Sequence, residues 1–328
     1  MAENTKIEWA DATVNHWAGC TKVSPACDNC YAQRMAGRLW KVQWGAGQPR
    51  RQFVSAREML EALDRKAQRI GKRLRVFHNS LSDMFDKEVP DGWSMDAFKA
   101  MADTPNLQHL VLTKRIGNVR PYTKRDGLAF DLIGDGRIWL GITVVNQEEA
   151  DRDIPKLLAV PAAKRFLSIE PMLGPVNLKL PTRKWVNSRG DATCDHCCNG
   201  DRCDDPTHFS RGRPDFAPHC RCPYCRGTGK GTPLDWVIAG SESGSGARRD
   251  PNMVSWVASL RDQCVNAGVA FLWKQDVIDG KKISAPQLEG QSWQQFKERK
   301  NKPEKGKIIN KKTAVRQMDG PTHDGLPA

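Results

Sequence analysis

Short apolar runs alternate with amphipathic stretches along most of this chain, and nearly every apolar run ends in polar residues. Leu74–His78 gives way to Asn79, Ser82 and Asp83, and His109–Leu112 to Thr113, Lys114 and Arg115. Ile138–Ile142 leads into Thr143 and Asn146, Lys164–Ile169 into Glu170 and Pro171, Asp235–Ala239 into Gly240–Gly244, and Val269–Trp273 into Lys274 and Gln275. A first strand is expected within Ala12–Trp17. Between these runs, apolar residues recur at helical spacing in Tyr31–Trp40, Ser55–Arg73, Ser94–Ala102, Gln147–Leu158 and Pro251–Asn266. Strands of this length separated by helices predict βα units and a parallel sheet, hence an α/β fold. In such folds ligands bind at the C-terminal ends of the strands, in a barrel mouth or at a switch point. The cysteines near the N-terminus, Asn79, Ser82, Asp83, Thr113, Lys114, Asn146, Glu170, Ser241, Glu242 and Lys274 are therefore expected on one rim. Any one of them alone reads equally well as a strand-end or helix-cap residue; the set predicts the rim.

The alternation defines a βα body over residues 1–182 and 233–290. Between them, 183–232 is rich in Pro, Gly, Arg, Asp and Cys and lacks an apolar run long enough for a core, so it reads as an insertion. From 291 to 328 the chain turns Lys-rich and then Pro- and Gly-rich, the composition of a basic, partly disordered tail.

Eleven cysteines fall into two groups plus Cys264, which sits at amphipathic helical spacing and reads as a packed core thiol. Grouped C-x-x-C spacing marks metal sites rather than a disulfide framework. Cys20, Cys27 and Cys30 lie on a Pro-containing polar loop just before the helix at Tyr31, and Cys27 and Cys30 are expected at the loop-to-helix transition, where backbone N–H groups favour thiolate. A cysteine trio without an evident fourth partner suits an iron–sulfur cluster with one open iron. The alternatives are a structural zinc site, for which His16 is the one plausible fourth ligand in the segment, and unligated thiols. In the insertion, Cys194-x-x-Cys197 paired with Cys222-x-x-Cys225 has the two-knuckle form of a zinc ribbon. Zinc there would staple a stretch that has too little apolar content to fold alone. Cys198, Cys203, Cys220 and nearby histidines keep the ligand set open, and the surrounding arginines could grip phosphate.

A formal charge of +13 and a pI near 9.3 point to an anionic partner, although Lys297–Lys312 accounts for a good share of the excess. Met1–Asp11 is polar, and no apolar run approaches a membrane span, so the expectation is a cytoplasmic protein with no membrane partner. Gly240–Gly246 follows a strand and precedes a helix but has neither GxGxxG spacing nor a P-loop lysine, which rejects both nucleotide fingerprints. Neither a Ser–His–Asp order nor HExxH is visible, against hydrolases of those types. Two classes remain: an enzyme with a metal cofactor, and a non-catalytic, zinc-containing nucleic-acid-binding protein.

The N-terminal trio ahead of a βα body resembles the radical S-adenosylmethionine superfamily, with a partial parallel βα barrel as its fold. The resemblance is closer to a phage-encoded family of thymidine hypermodification, through Lys6-Ile7-Glu8-Trp9, Cys20–Tyr31, Ser80–Phe85, Leu112–Arg115, Phe166–Pro171 and Gly240–Gly244. It covers roughly residues 5–180 and 233–296. The trio is spaced Cys20-x6-Cys27-x2-Cys30, whereas CxxxCxxC is usual for the superfamily. The resemblance implies a [4Fe–4S] cluster on Cys20, Cys27 and Cys30, S-adenosylmethionine on its fourth iron, an external electron donor, and isomerisation of N-linked to C-linked glycinylthymidine on phage DNA, which serves evasion of host restriction. A radical enzyme acting on another nucleic acid, in lesion repair or base modification, is the alternative. By strand-end position, Ser82, Asp83, Thr143, Glu170 and Glu242 are the candidates for cofactor contacts. Lys114, Arg115 and Lys274 are the candidates to meet a substrate carboxylate or phosphate, and Lys114, Glu170 and Lys274 are the catalytic candidates.

Overall fold

A computed structural model describes residues 3, 5, 7–123, 127–180, 234–243, 246–278, 281–284, 286–288 and 291–292. The insertion at 183–232, with Cys194, Cys197, Cys222 and Cys225, and the tail from 293 onward lie outside the described residues.

The strands are β1 (Ala12–Val14), β2 (Trp17–Ala18), β3 (Arg51–Gln52), β4 (Leu74–His78), β5 (Leu107–Thr113), β6 (Ile138–Thr143), β7 (Arg165–Ile169), β8 (Trp236–Gly240), β9 (Ala270–Ile278), β10 (Lys281–Ser284), β11 (Gln287–Leu288) and β12 (Gln291–Ser292). The helices are α1 (Tyr31–Trp40), α2 (Ala56–Arg69), α3 (Asp91–Ala102), α4 (Leu128–Gly134), α5 (Gln147–Leu158) and α6 (Met253–Ala267). Eight strands form one curled sheet, a half-barrel in the order β1-β4-β5-β6-β7-β8-β9-β10. All pairs from β1 to β9 are parallel, and β10 runs antiparallel to β9. Each strand after β4 lies beside its predecessor, as expected when a chain winds in one direction through successive right-handed crossovers.

Because side chains alternate along a strand, each strand contributes to two cores. Outward residues such as Val76, Val111, Leu140, Leu167, Val237 and Phe271 are buried under the helices. Inward residues Phe77, Leu110, Phe166, Trp236, Ile238, Ala270 and Leu272 pack with Trp9 into an apolar plug inside the curl. Trp9 lies 4.6 Å from Phe77 and 6.0 Å from Phe166, centroid to centroid. Gly141 on β6 leaves the space that the Phe166 ring fills, since a Cβ there would stand 2.4 Å from Phe166 Cζ.

Three outward-side histidines break the apolar pattern. His109 Nε2 lies 3.0 Å from Met101 O, His109 Nδ1 lies 3.0 Å from His78 Nε2, and His78 Nδ1 lies 3.1 Å from His16 Nε2. A carbonyl only accepts, so the Met101 end fixes the tautomers: each ring donates from Nε2 and accepts at Nδ1. Burial lowers the pKa of His16 to about 4 and that of His109 to about 3, and holds His78 well below its ordinary value. In the unfolded chain these rings take up protons below about pH 6.5. Stability is thus complete above that pH and is expected to fall as pH drops toward 4, by about 1.4 kcal/mol per pH unit for each histidine. Urea midpoints at about pH 7 and about pH 5 test this; equal midpoints would contradict a buried neutral chain.

Candidate functional site

Continuing each inward row past the apolar plug, two residues at a time, leads to a polar layer. Thr13 is followed by Asn15, Phe77 by Asn79, Leu112 by Lys114, Gly141 by Thr143, Phe166 by Ser168 and Glu170, Ile238 by Gly240 and Glu242, and Leu272 by Lys274. Apart from Gly240, all of these polar-layer residues line one cavity of about 720 Å³ at the C-terminal ends of the strands. Ser82, Asp83 and Arg115 line it too, and so do Cys20, Cys27 and Cys30. The rim expected from strand ends thus exists in large part. Thr113, Asn146 and Ser241 are not among the cavity residues: Thr113 is buried and donates to Asp83 Oδ1 at 2.7 Å, Asn146 caps α5, and Ser241 donates to Asp276.

The cysteine loop is held from both ends. Ser24 caps a 3₁₀ turn at Pro25–Cys27, and Cys30 is the N-cap residue of α1, which places the last two thiols at the loop-to-helix junction. On one side Arg248 reaches across from the segment after β8. It donates to Pro25 O at 2.8 Å, Asp28 Oδ2 at 3.0 Å and Glu242 Oε1 at 2.7 Å, while Asn29 Nδ2 donates to Glu242 Oε2 at 2.8 Å. On the other side Arg50, whose guanidinium is almost wholly buried, donates to Asp86 Oδ2 (2.9 Å), Gly45 O (3.0 Å), Gln48 O (2.8 Å) and Thr21 Oγ1 (2.9 Å). Gly45 N in turn donates to Cys20 O at 3.0 Å, and Arg115 to Thr21 O at 2.8 Å.

These bonds divide the candidates. Asp83 accepts from Phe85 N, Thr113 Oγ1 and Lys114 N, Ser82 donates to Trp17 O, and Glu242 is taken up by Arg248 and Asn29. All three hold the loops in place with the polar atoms that a ligand would use. Arg248 lowers the pKa of Glu242 against the opposing effect of burial, which keeps it charged. Lys114, Thr143, Ser168, Glu170 and Lys274 line the cavity with side chains that these loop contacts do not take up. Thr143 and Ser168 are register partners on adjacent strands, and the buried Thr143 Oγ1 has no hydrogen-bond partner. Lys274 Nζ donates to Glu170 Oε1 at 2.6 Å, both side chains being nearly buried.

The thiols themselves are free, Cys27 buried and the other two half-buried. Burial, with Asp83 and Asp86 adding to it against Arg115, pushes the Cys20 thiol up to about 12. It is therefore neutral at physiological pH, a poor nucleophile that a metal would have to deprotonate. Among the described residues no three His, Cys, Asp or Glu side chains are gathered into a group that could hold one ion. His16 does not complete one, because its ring stacks on His78 at 5.3 Å in the histidine row and does not line the cavity. A cluster is less demanding in this respect, since each thiolate binds a different iron and the sulfurs stand further apart than around one ion. The donor set, three cysteines lining a roomy cavity, fits such a cluster in its chemistry.

Over residues 4–327 the sequence matches the family described as Protein of unknown function (DUF5131). The chain belongs to that family. The match runs from the N-terminal segment across the cysteine loop, the insertion and the tail. The comparison with curated proteins returns no match, and neither does that with solved structures. Among the described residues no helix is long and apolar enough to cross a membrane.

Sequence reasoning missed Arg50, Arg248 and the histidine row. Two partners of Arg248, Pro25 and Asp28, lie more than two hundred residues away, which no local spacing reveals. His78 and His109 did leave a signal, as histidines on the outward, core-facing rows of strands that are otherwise apolar there.

Proposed function

We propose that this protein is a radical S-adenosylmethionine enzyme, with a [4Fe–4S] cluster on Cys20, Cys27 and Cys30 and S-adenosylmethionine in the adjoining cavity. The observation that carries the proposal is that all three cysteines of the Cys-x6-Cys-x2-Cys segment line one cavity at the mouth of a parallel half-barrel, beside the polar ends of its strands. Bound there, the cluster would supply one electron to the sulfonium and so generate a carbon radical able to abstract hydrogen.

The chain's own residues have separable tasks. Arg50 and Arg248 fix the cysteine loop against the sheet. Ile7, Trp9, Phe77 and Leu112 form an apolar floor that keeps water from the reacting groups. The Thr143 and Ser168 hydroxyls stand ready for a hydroxyl or amide of the ligand. Glu170 and Lys274 form a pair that can turn to an amine and a carboxylate respectively, and Lys114 adds a second cation. The substrate follows from the resemblance: N-linked glycinylthymidine on phage DNA, isomerised to the C-linked form, with an external electron donor and a structural zinc in the insertion.

Anaerobic reconstitution tests this. About four irons per chain at the trio and reductant-dependent cleavage of S-adenosylmethionine are expected, and Cys27→Ala should lose both. Zinc alone at the trio, or cleavage retained in Cys27→Ala, would reject the assignment. Mass spectrometry of nucleosides from phage grown with and without the protein tests the substrate.

A further inference from the structure

The outer face of α1 is partly exposed, although its side chains are not those of a solvated surface. Tyr31 donates to Ser80 O at 3.0 Å and Trp40 packs on Phe53, which holds these rings in place. Tyr31, Met35 and Leu39 follow one another at i, i+4 and i+8 and are 44%, 38% and 53% exposed. All three line the cavity, together with Trp40 and Trp44 just beyond the helix. From Asn29 to Arg57 the chain contains no aspartate or glutamate, while Arg34, Arg38, Lys41 and Arg51 are exposed along it. An apolar and aromatic stripe edged by cations, continuous with the mouth of a cavity, matches how proteins hold single strands: stacking surfaces for bases beside cations for phosphates.

We propose that the face formed by α1 and the segment to Arg51 is the track along which a single strand of nucleic acid lies as one nucleotide enters the cavity. The proposal rests on the reading above that the cavity takes a nucleic-acid substrate, and it adds where the strand runs and which side chains hold it. Charge selects this occupant. Lys297–Lys312 holds eight basic residues against two acidic ones, and a second copy of the chain carries +13, so neither complements a basic face. A folded acidic protein would cover the mouth of the cavity without entering it.

Fluorescence anisotropy with a labelled thymidine-rich single-stranded oligonucleotide, titrated at several salt concentrations, tests the track. The full-length protein should bind with a salt-dependent affinity. Arg34→Ala with Arg38→Ala should flatten the log–log salt slope by about 1.4, roughly 0.7 for each phosphate no longer neutralised. Trp44→Ala should weaken binding about 5- to 150-fold, the usual range for removing a stacking partner. Leu39→Glu, a change on an exposed side chain that spares the core, should also weaken it by placing a carboxylate on the stripe. Unchanged affinity and slope in all these variants, or a loss of affinity confined to Lys297→Ala with Lys300→Ala, overturns the proposal. So does an acidic electron-carrier protein whose binding these variants weaken while the oligonucleotide still binds fully. The measurement needs neither cluster nor cofactor, so a wild-type protein without iron at the trio would reject the radical reading and leave this test standing.

Discussion

Replacing Arg50 by leucine is expected to cost about 3–5 kcal/mol of stability, the usual penalty for removing one partner of a buried ion pair. Asp86 is as buried as the arginine, and without it the nearest remaining cation is Arg115, 3.8 Å away. The carbonyls of Gly45 and Gln48 lose their donors in the same substitution. Urea denaturation measures the loss, and the double variant Arg50→Leu with Asp86→Leu should recover a large part of it, because no unpaired charge remains. A loss below about 1 kcal/mol in the single variant would mean that the guanidinium is not buried as described. The effect extends to the cysteine loop, since Thr21 and, through Gly45, Cys20 depend on this arginine for their positions.

The second large effect is expected at Gly141. Alanine there puts a methyl group against a phenyl ring that has no room to retreat inside the curl, and overpacking of this kind costs about 1–3 kcal/mol. The upper end is expected, because Trp236 and Trp9 pack around the same ring. Combining Gly141→Ala with Phe166→Leu should restore stability relative to the sum of the two single losses. Strict additivity of the two changes would show that residue 141 and the ring do not meet.

The helices were legible wherever their apolar spacing was intact. Gln147–Leu158 and Tyr31–Trp40 are helices over the very residues that the pattern marks. Helix α4 was missed because its seven residues span only two turns. Strands β4 to β9 were legible as apolar runs, since a sheet covered on both faces needs apolar residues at every position. Strand β10 was not: Lys281, Lys282, Ile283 and Ser284 are all exposed, so nothing in their pattern responds to a core. The rim was legible for a different reason. Polar residues at the C-terminal ends of the strands placed Lys114, Thr143, Glu170 and Lys274 together without knowledge of the topology, and parity along each strand, which carries an inward apolar row into an inward polar one, is the physical reason. What parity cannot give is the bonding state of each residue on arrival. Asp83, Ser82 and Glu242 have the composition of ligand contacts, and their partners come from distant loops whose approach only the fold determines.

The change from plug to polar layer within a single step of the strands has a broader consequence. Below it, each inward side chain is interlocked with aromatic neighbours, and few exchanges are tolerated. Above it, Asn15, Asn79 and Glu242 brace the neighbouring loops, while Lys114, Glu170 and Lys274 stand at the cavity only partly buried and bear less of the weight of the molecule. A lineage built on this frame can therefore rewrite its chemistry one upper position at a time while the architecture beneath stays still.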